Sequence, residues 1–438
     1  MKQKIVFFTQ SHKPYGGAPR LYLDLGSYIA DNHTAEYDVF YLNYHNPIVE
    51  EDYKKSKLNI CDVDKVDYSK FEDATFFVAI NYVYFLLSKI GHLKKAKICV
   101  YFYHPQVFRW YALQLFMKED NKKDILKLLA ETSCCFMDKS NYLAIDRISN
   151  LGFRENYVPV TLREDPPQLE KVPQIVNKDR ISVGWLGRVD GDKVSSINNF
   201  LDNLLAMGHK KKVDVHIIGD GNSKAAIKID KYAPQIRVVF TSYMYGKERD
   251  DYIKKNVDIV VAMGISALDI AVLGIPTAVP LVSSFPFRDD KFSFLYDIKG
   301  YSLGWAPEDS QRMGCKNYTM TEIINAVYTG NGKETIGTEC YEFARANFSI
   351  KNGARMLIES LKEANLTVER CLRCSSVKKQ MRRFKIYSKL RRDDNYMRFH
   401  LFMLQLNRVK EKGNGGIVKF LFAKIKRMFS HIRRKNNA

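Results

Sequence analysis

Short apolar runs rich in β-branched and aromatic residues alternate with helix-length segments over most of this chain, and that alternation constrains the fold more than any other feature. In the first part the runs are Ile5 to Thr9, Asp38 to Leu42, Thr75 to Ile80, Ile98 to Tyr103 and Cys134 to Met137, with helical segments such as Pro19 to Ala30 and Lys122 to Ala130 between them. Runs so short and apolar suit strands buried on both faces, and the intervening lengths suit crossover helices, so the pattern predicts a parallel sheet covered on both sides. At Leu162 to Asp179 the composition breaks: LREDPPQLEKVPQIVNKD carries three prolines and dense charge, as an exposed interdomain linker would. The same grammar then restarts. Strands are expected at Ile181 to Leu186, Val213 to Ile218, Ile236 to Thr241, Asp258 to Ala262 and Pro276 to Val279, and helices at Val194 to Met207, Lys247 to Lys255 and Ala267 to Leu273.

A length of 438 residues accommodates two such units with an appendage. The expected division is 1–165, 166–350, a helix over 351–369 that crosses back to the first unit, and a tail over 370–438. Two doubly wound units in series imply a cleft between them. In open parallel sheets ligands sit beyond the carboxyl ends of the strands, so the chemistry is sought in the loops that follow them.

Charge is unevenly placed. The chain has 69 Lys and Arg against 49 Asp and Glu, a formal charge of +20, yet from Arg370 onward there are 21 basic and 3 acidic residues. The body is close to neutral, so the basicity belongs to the tail and does not argue that the whole protein grips nucleic acid. Eight cysteines are scattered, several in apolar stretches, the pattern of reduced, core-filling thiols in a cytosolic protein. Cys371 and Cys374 form a CxxC without a second ligand pair at zinc spacing. The apolar N-terminal segment is too short for a signal peptide and reads as the first strand. The two most apolar stretches are interrupted, Ala74 to Leu87 by Asn81 and Ile265 to Val282 by Asp269, Pro276 and Pro280. Neither offers the ~20 uninterrupted apolar residues of a membrane span.

Four of the loops after strands are unusual. HKPYGGAPR places Gly16 and Gly17 just before a helix, where free amides and the helix dipole favour an anionic group; the plainer reading is an ordinary strand-to-helix turn. WLGRVDGDK, with Gly187, carries Arg188 and Lys193 at a strand's carboxyl end, a guanidinium and an ammonium suited to a leaving diphosphate, although most Lys and Arg are simply solvated. IIGDGNSK contains Gly219 and Gly221 around Asp220, which reads first as a tight turn. MGISALDIAVLGIPTAVP opens on Gly264 and Ile265, offers Ser266 as a helix N-cap, carries Asp269 on the helix and stops it at Gly274. Asp269 either accepts hydrogen bonds from a ribose diol or merely compensates the helix dipole.

Together these four loops resemble the GT-B glycosyltransferases, specifically the large retaining, family-four-like group of sugar-nucleotide enzymes that includes many bacterial surface-polysaccharide transferases. The resemblance covers roughly residues 1–364. It implies two Rossmann-like domains facing a cleft, with an acceptor-side N-terminal domain and a nucleotide-sugar-binding C-terminal domain. It implies donor contacts at Gly16, Gly17, Gly187, Gly219, Met244, Gly264, Ile265, Ser266 and Asp269, and catalytic roles for Arg188, Lys193 and His104. The family pattern has Glu where this chain has Asp269, and often a second Glu where it has Ala262. No DxD-like metal motif stands in the right loop, so catalysis is expected to be metal-independent and free of cofactors, with the nucleotide-sugar as co-substrate. By the same resemblance the anomeric configuration is retained.

The tail interleaves Ile417, Phe420, Leu421, Ile425, Met428, Phe429 and Ile432 with Lys and Arg at helical spacing. A basic amphipathic helix suits an anionic leaflet; a partner helix and, less readily, nucleic acid are the rival occupants. The sequence therefore leads to a glycosyltransferase for a glycan or lipid-linked acceptor of a bacterial surface polysaccharide (lipopolysaccharide or capsule), held at the inner face of the cell membrane. The alternatives are an inactive GT-B scaffold binding a glycan or a partner transferase, and a transferase of another phosphoryl-activated group.

Overall fold

The computed structural model describes residues 2–9, 17–44, 49, 51, 53–104, 119–132, 134–177, 179–208, 212–227, 229, 236–241 and 244–390. Gly16 and the tail beyond residue 390 lie outside these described residues. The first lobe contains β1 (Gln3–Phe8), α1 (Gly17–Asn32), β2 (Tyr37–Asn43), β3 (Asn59–Asp62), β4 (Thr75–Ala79), α2 (Val83–Ile90), β5 (Lys97–Phe102), α3 (Glu119–Ala130), β6 (Cys134–Phe136) and α4 (Lys139–Ser149). Its strands pair in the order β3-β2-β1-β4-β5-β6, all parallel. β1 and β4 are each completely buried over their last four residues, which is why they read as unbroken apolar runs rather than as alternating ones.

The second lobe contains β7 (Arg180–Leu186), α5 (Gly191–Ala206), β8 (Lys212–Ile218), β9 (Ile236–Thr241), α6 (Gly246–Asn256), β10 (Ile259–Ala262), α7 (Ile265–Ala271), β11 (Thr277–Pro280) and β12 (Phe292–Phe294). Their order is β12-β11-β10-β7-β8-β9, parallel except for the antiparallel edge strand β12. Counted from its own first strand, each lobe therefore has its first strand at the centre and a strand-order reversal beside it, the arrangement of a doubly wound dinucleotide-binding sheet. The chain then adds α8 (Met320–Tyr328), α9 (Gly332–Phe348), α10 (Ile350–Lys362), α11 (Val368–Arg373) and α12 (Ser375–Leu390). Two strands, β3 and β12, were not expected from the sequence. Both are short edge strands: β3 is not buried at any position and so carries little apolar signal, and β12, although buried throughout, is only three residues long.

Three segments are held by contacts that only the tertiary structure shows. The segment 162–179 is exposed or half-exposed over most of its described length but anchored at points: Leu162 and Val172 are buried, the Leu162 amide donates to the Phe348 carbonyl (2.7 Å), and the Tyr341 hydroxyl donates to the Pro167 carbonyl (2.6 Å). The helix over 350–362 packs on α1 of the first lobe, where Gly353 permits the close approach, because a side chain there would meet Thr161 at 2.3 Å. Finally, residues 370–382 are not a free tail. Val368, Cys371, Val377 and Gln380 are buried and α12 lies along α2 and α3, because the segment has an apolar face that the first lobe covers.

A buried ion pair holds the amino end of β10. The Lys333 ammonium, on α9, donates to Asp258 (2.6 Å) and to the Gln174 carbonyl (2.8 Å). The same carboxylate accepts from the Tyr328 hydroxyl (2.6 Å) and from the Val176 amide (2.9 Å). Asp258 is fully buried and Lys333 nearly so, and a charge in such a place persists only when its hydrogen bonds are complete. Lys333→Met should therefore cost about 3–5 kcal/mol by leaving an unpaired buried carboxylate. The double variant Asp258→Leu with Lys333→Met should lose much less in the same urea titration.

Candidate active site

The topology brings two loop clusters to face one another. In each sheet the strand order reverses between its first and fourth strands, β1 and β4 in the first lobe and β7 and β10 in the second. Ligand crevices form at such reversals, beyond the carboxyl ends.

In the second lobe the loops after β7 and β8 are zipped backbone to backbone. The Gly187 amide donates to the Ile218 carbonyl (3.1 Å), the Val189 amide to Asp220 (3.0 Å), and the Ser223 amide to Val189 (3.2 Å). Gly187 and Gly219 have φ of 147° and 149°. A Cβ at Gly219 would stand 2.1 Å from the Gly187 carbonyl oxygen, and one at Gly221 2.3 Å from the Val189 oxygen. The Gly-x-Gly turn thus serves to seat the neighbouring loop. Asp220 is a turn-former: it accepts from the Gly221 amide (2.9 Å) and pairs with Lys224 (3.0 Å).

The seated loop presents the two expected cations. Arg188 is 70% exposed and its guanidinium donates to Asp190 at 2.7 Å. Lys193 lies in the first turn of α5, half-buried, and its amide donates to the Asp190 carbonyl (2.9 Å). Asp190 occupies the N-cap position of α5 with extended backbone, but its side chain makes no cap hydrogen bond; it turns to Arg188 instead. The loop therefore holds its guanidinium against an internal carboxylate.

At β10 the turn is made by Gly264, whose φ of 61° and ψ of −145° are available only to glycine. Its amide donates to the Leu303 carbonyl (2.9 Å). α7 begins at Ile265, so Gly264, and not Ser266, is the N-cap; Ser266 lies inside the helix because the glycine turn closes two residues earlier. Asp269, also on α7, accepts from Arg249 of α6 at 2.8 Å, and Arg249 is only 16% exposed. Burial pushes the Asp269 carboxyl above its ordinary range, opposed by the charges of Arg249 and Arg20. Met244 lies between β9 and α6, half-buried. Ala262 ends β10, fully buried.

Arg20 was not identified from the sequence. It stands on the first turn of α1 in the first lobe, pairs with Asp24 at 3.7 Å, and lies near enough to Tyr245 and Asp269, both in the second lobe, to act on them electrostatically. α1 and its leading residue Gly17 therefore face α7 across the cleft. The available signal was a basic residue three positions after Gly17, on a helix expected to point its amino end at a ligand.

The first lobe contributes a polar rim at the carboxyl ends of β4 and β5. His104 follows β5, half-buried, beside Tyr103, which accepts a hydrogen bond from Asn81 and whose phenol is pushed up by burial. Asn81 was noted in the sequence only as an interruption of an apolar run.

The lobes are bolted together through α4. The Lys139 amide donates to Gly300 (2.8 Å) and the Ser140 amide to the Ser302 hydroxyl (3.0 Å). Arg147 pairs with Asp309 (3.0 Å), and Arg312 with Asp146 (2.6 Å). Asp138 caps this helix by accepting from the Asn141 amide (2.8 Å), and burial raises its carboxyl to about 6, against the lowering effect of those amide bonds.

By sequence the chain matches no protein-family model and no curated protein. By structure it is similar to the apo form of WaaB, described as a lipopolysaccharide outer core galactosyltransferase, with a TM-score of 0.53 and 12% identity over 82% of this chain and 99% of that one. It is likewise similar to a glycosyltransferase from Rickettsia africae ESF-5, with a TM-score of 0.52 and 11% identity over 83% and 98%. At these identities the likeness establishes architecture, and the architecture is GT-B.

Two outcomes test this geometry. Gly219→Ala should drive the zipped loops apart and lower the thermal midpoint by several degrees, whereas Gly208→Ala, where a side chain meets open space, should be milder. The raised Asp138 carboxyl favours the folded state below its ordinary pKa near ~4, and that contribution is lost as pH rises through about 6. The difference in midpoint between wild type and Asp138→Asn should therefore shift in favour of the variant between pH 4 and 6 and stay level from pH 7 to 8.

Proposed function

We propose that this chain is a glycosyltransferase that moves a sugar from a nucleoside-diphosphate donor to a glycan or lipid-linked acceptor in bacterial surface-polysaccharide synthesis. The observation that carries the reading is the zipped loop pair of the second lobe, which sets Arg188 and the first turn of α5 at a strand-order reversal, while α1 faces that lobe through Arg20. The GT-B architecture supports the same reading, and so does the similarity to a protein described as a lipopolysaccharide galactosyltransferase.

In this mechanism the donor diphosphate lies between Arg188, Lys193 and the amides at Gly17 and Gly187. Its ribose is held by Asp269, with Gly264, Ile265 and Ser266 beside the sugar and phosphates and Met244 beside the base. The bond from the anomeric carbon to the diphosphate oxygen breaks as an oxocarbenium-like centre forms, and both electrons leave with the diphosphate. Cations fixed where that charge develops lower the barrier. The acceptor hydroxyl enters from the first-lobe rim near His104 on the face the diphosphate leaves; its oxygen bonds to the anomeric carbon as its proton passes to the departing phosphate oxygen, so configuration is retained. No cofactor takes part, and the leaving charge is met by protein cations in place of a metal. A lipid-linked acceptor sets this work at the cytoplasmic face of the cell membrane in this reading, with the basic segment 370–438 against the leaflet.

A second reading is an inactive scaffold that binds a glycan or a partner transferase. It is favoured by Ala262 in place of an acid and by the engagement of Arg188 with Asp190 and of Asp269 with Arg249. Donor turnover separates the two. With a panel of UDP-, GDP-, ADP- and CMP-sugars, one donor should raise the thermal midpoint and be turned over. Arg188→Ala and Lys193→Ala should each lower kcat by about 10²–10³-fold, and Arg20→Ala should raise KM more than it lowers kcat. A wild-type chain that binds a glycan yet turns over none of these donors would establish the scaffold instead.

A further inference from the structure

Away from the cleft, the returning C-terminal segment remakes one flank of the first lobe. The Ile98 amide donates to Leu366 (2.8 Å), the Val368 amide to Ala96 (2.9 Å) and the Glu369 amide to Lys94 (3.2 Å). Residues 366–369 therefore run beside the amino end of β5. α11 and α12 continue over α2 and α3, enclosing a wholly apolar cavity of about 20 Å³ lined by residues that include Tyr84, Leu87, Ile125, Leu129, Cys371 and Val377.

What the segment covers is apolar, and what it presents is basic. Segments 91–97, 123–131 and 366–382 meet on this flank and carry ten Lys and Arg against three acids. Each acid is already engaged: Glu131 with Arg370 (3.3 Å), Glu369 with Arg373 (2.8 Å), and Asp124 with the Ser376 hydroxyl. Lys94, Lys95, Lys97, Lys378 and Lys379 are exposed, and their ammonium groups form no ion pair among the described residues; a further acid, Glu72, borders the flank and accepts from the Lys95 amide (3.2 Å). Lys97 opens β5, at the end of the strand opposite the cleft, so a surface bound here leaves the cleft open.

We propose that this folded flank docks on an anionic phospholipid leaflet, with the N-terminal lobe against the membrane and the cleft held clear of it. The inference rests on the transferase reading for the lipid-linked acceptor it would bring near, and on charge complementarity for the docking itself. Two observations favour a leaflet over nucleic acid. The exposed large apolar residues of the described chain are Ile148, Leu151, Val176, Tyr245 and Phe285, so none on this flank offers a base-stacking platform. The sequence that continues beyond residue 390 interleaves its cations with Ile, Leu and Phe, residues a lipid interface accepts.

The test is flotation of the full chain with vesicles of phosphatidylglycerol and phosphatidylcholine, or of phosphatidylcholine alone, at about 0.1 M salt, where screening still leaves a range of about 10 Å. Replacing Lys94, Lys95, Lys97, Lys378 and Lys379 together by Glu should reduce binding to the anionic vesicles at least tenfold. The same five changed to Gln should give an intermediate loss, with the thermal midpoint of each variant as the control on folding. Neutral vesicles should bind neither form, and a reversal confined to Lys424, Lys426 and Arg427 should weaken binding less than the flank reversal. Unchanged flotation of the Glu variant would overturn the proposal, as would equal binding to neutral vesicles or displacement of the chain from anionic vesicles by a short RNA. Hydrolysis of soluble donor, measured in the same preparations, keeps the readings apart. Flotation without turnover overturns the transferase and leaves the docking flank standing, and turnover without flotation does the reverse.

Discussion

A parallel sheet joined by right-handed crossovers delivers all of its strand-to-helix loops to one edge, and this chain builds two such sheets with closely related strand orders. The rest of the molecule depends on that constraint. Loops far apart in sequence, those after β1, β4, β7 and β10, gather at the two strand-order reversals. α4 then fixes one lobe against the other through backbone bonds to Gly300 and ion pairs at Arg147 and Arg312. A cleft made this way needs no dedicated framework, because it is the space between two carboxyl edges.

Within the cleft, backbone proximity does much of the positioning. Gly187, Gly219 and Gly264 occupy conformations or contacts that a Cβ would disturb, and in each case the glycine sets the path of a loop that borders the cleft. Side-chain charge is then distributed among partners: Arg188 with Asp190, Asp269 with Arg249, Arg20 with Asp24. Such pairs keep cations ordered in a half-open site, where a lone guanidinium would lose side-chain entropy on each binding event.

The chain after α9 has a different role. α10 returns to α1, and α11 and α12 cover the apolar side of α2 and α3, so the C-terminal region completes the first lobe's core before it becomes a basic surface. Composition alone merges these two duties. The cations of 370–382 and those beyond residue 390 look alike in a charge count, but burial of Val368, Cys371 and Val377 marks the first group as part of a docked segment.

Periodicity and composition determined the two-unit α/β architecture, most strand positions, the near-neutral body with its basic end, and the loops where chemistry should be sought. These are local properties: buried parallel strands are apolar at every position, and glycine marks the turns that only it can make. Short edge strands such as β3 escaped because half-exposed pairing leaves little apolar pattern. Tertiary structure alone decided that Gly264 caps α7 where Ser266 was expected to, that Arg249 holds Asp269, and that Arg20 reaches the opposite lobe. Each of these depends on which segments meet in space, and the energy of an ion pair or a backbone contact depends on distance and burial, neither of which a linear order of residues contains.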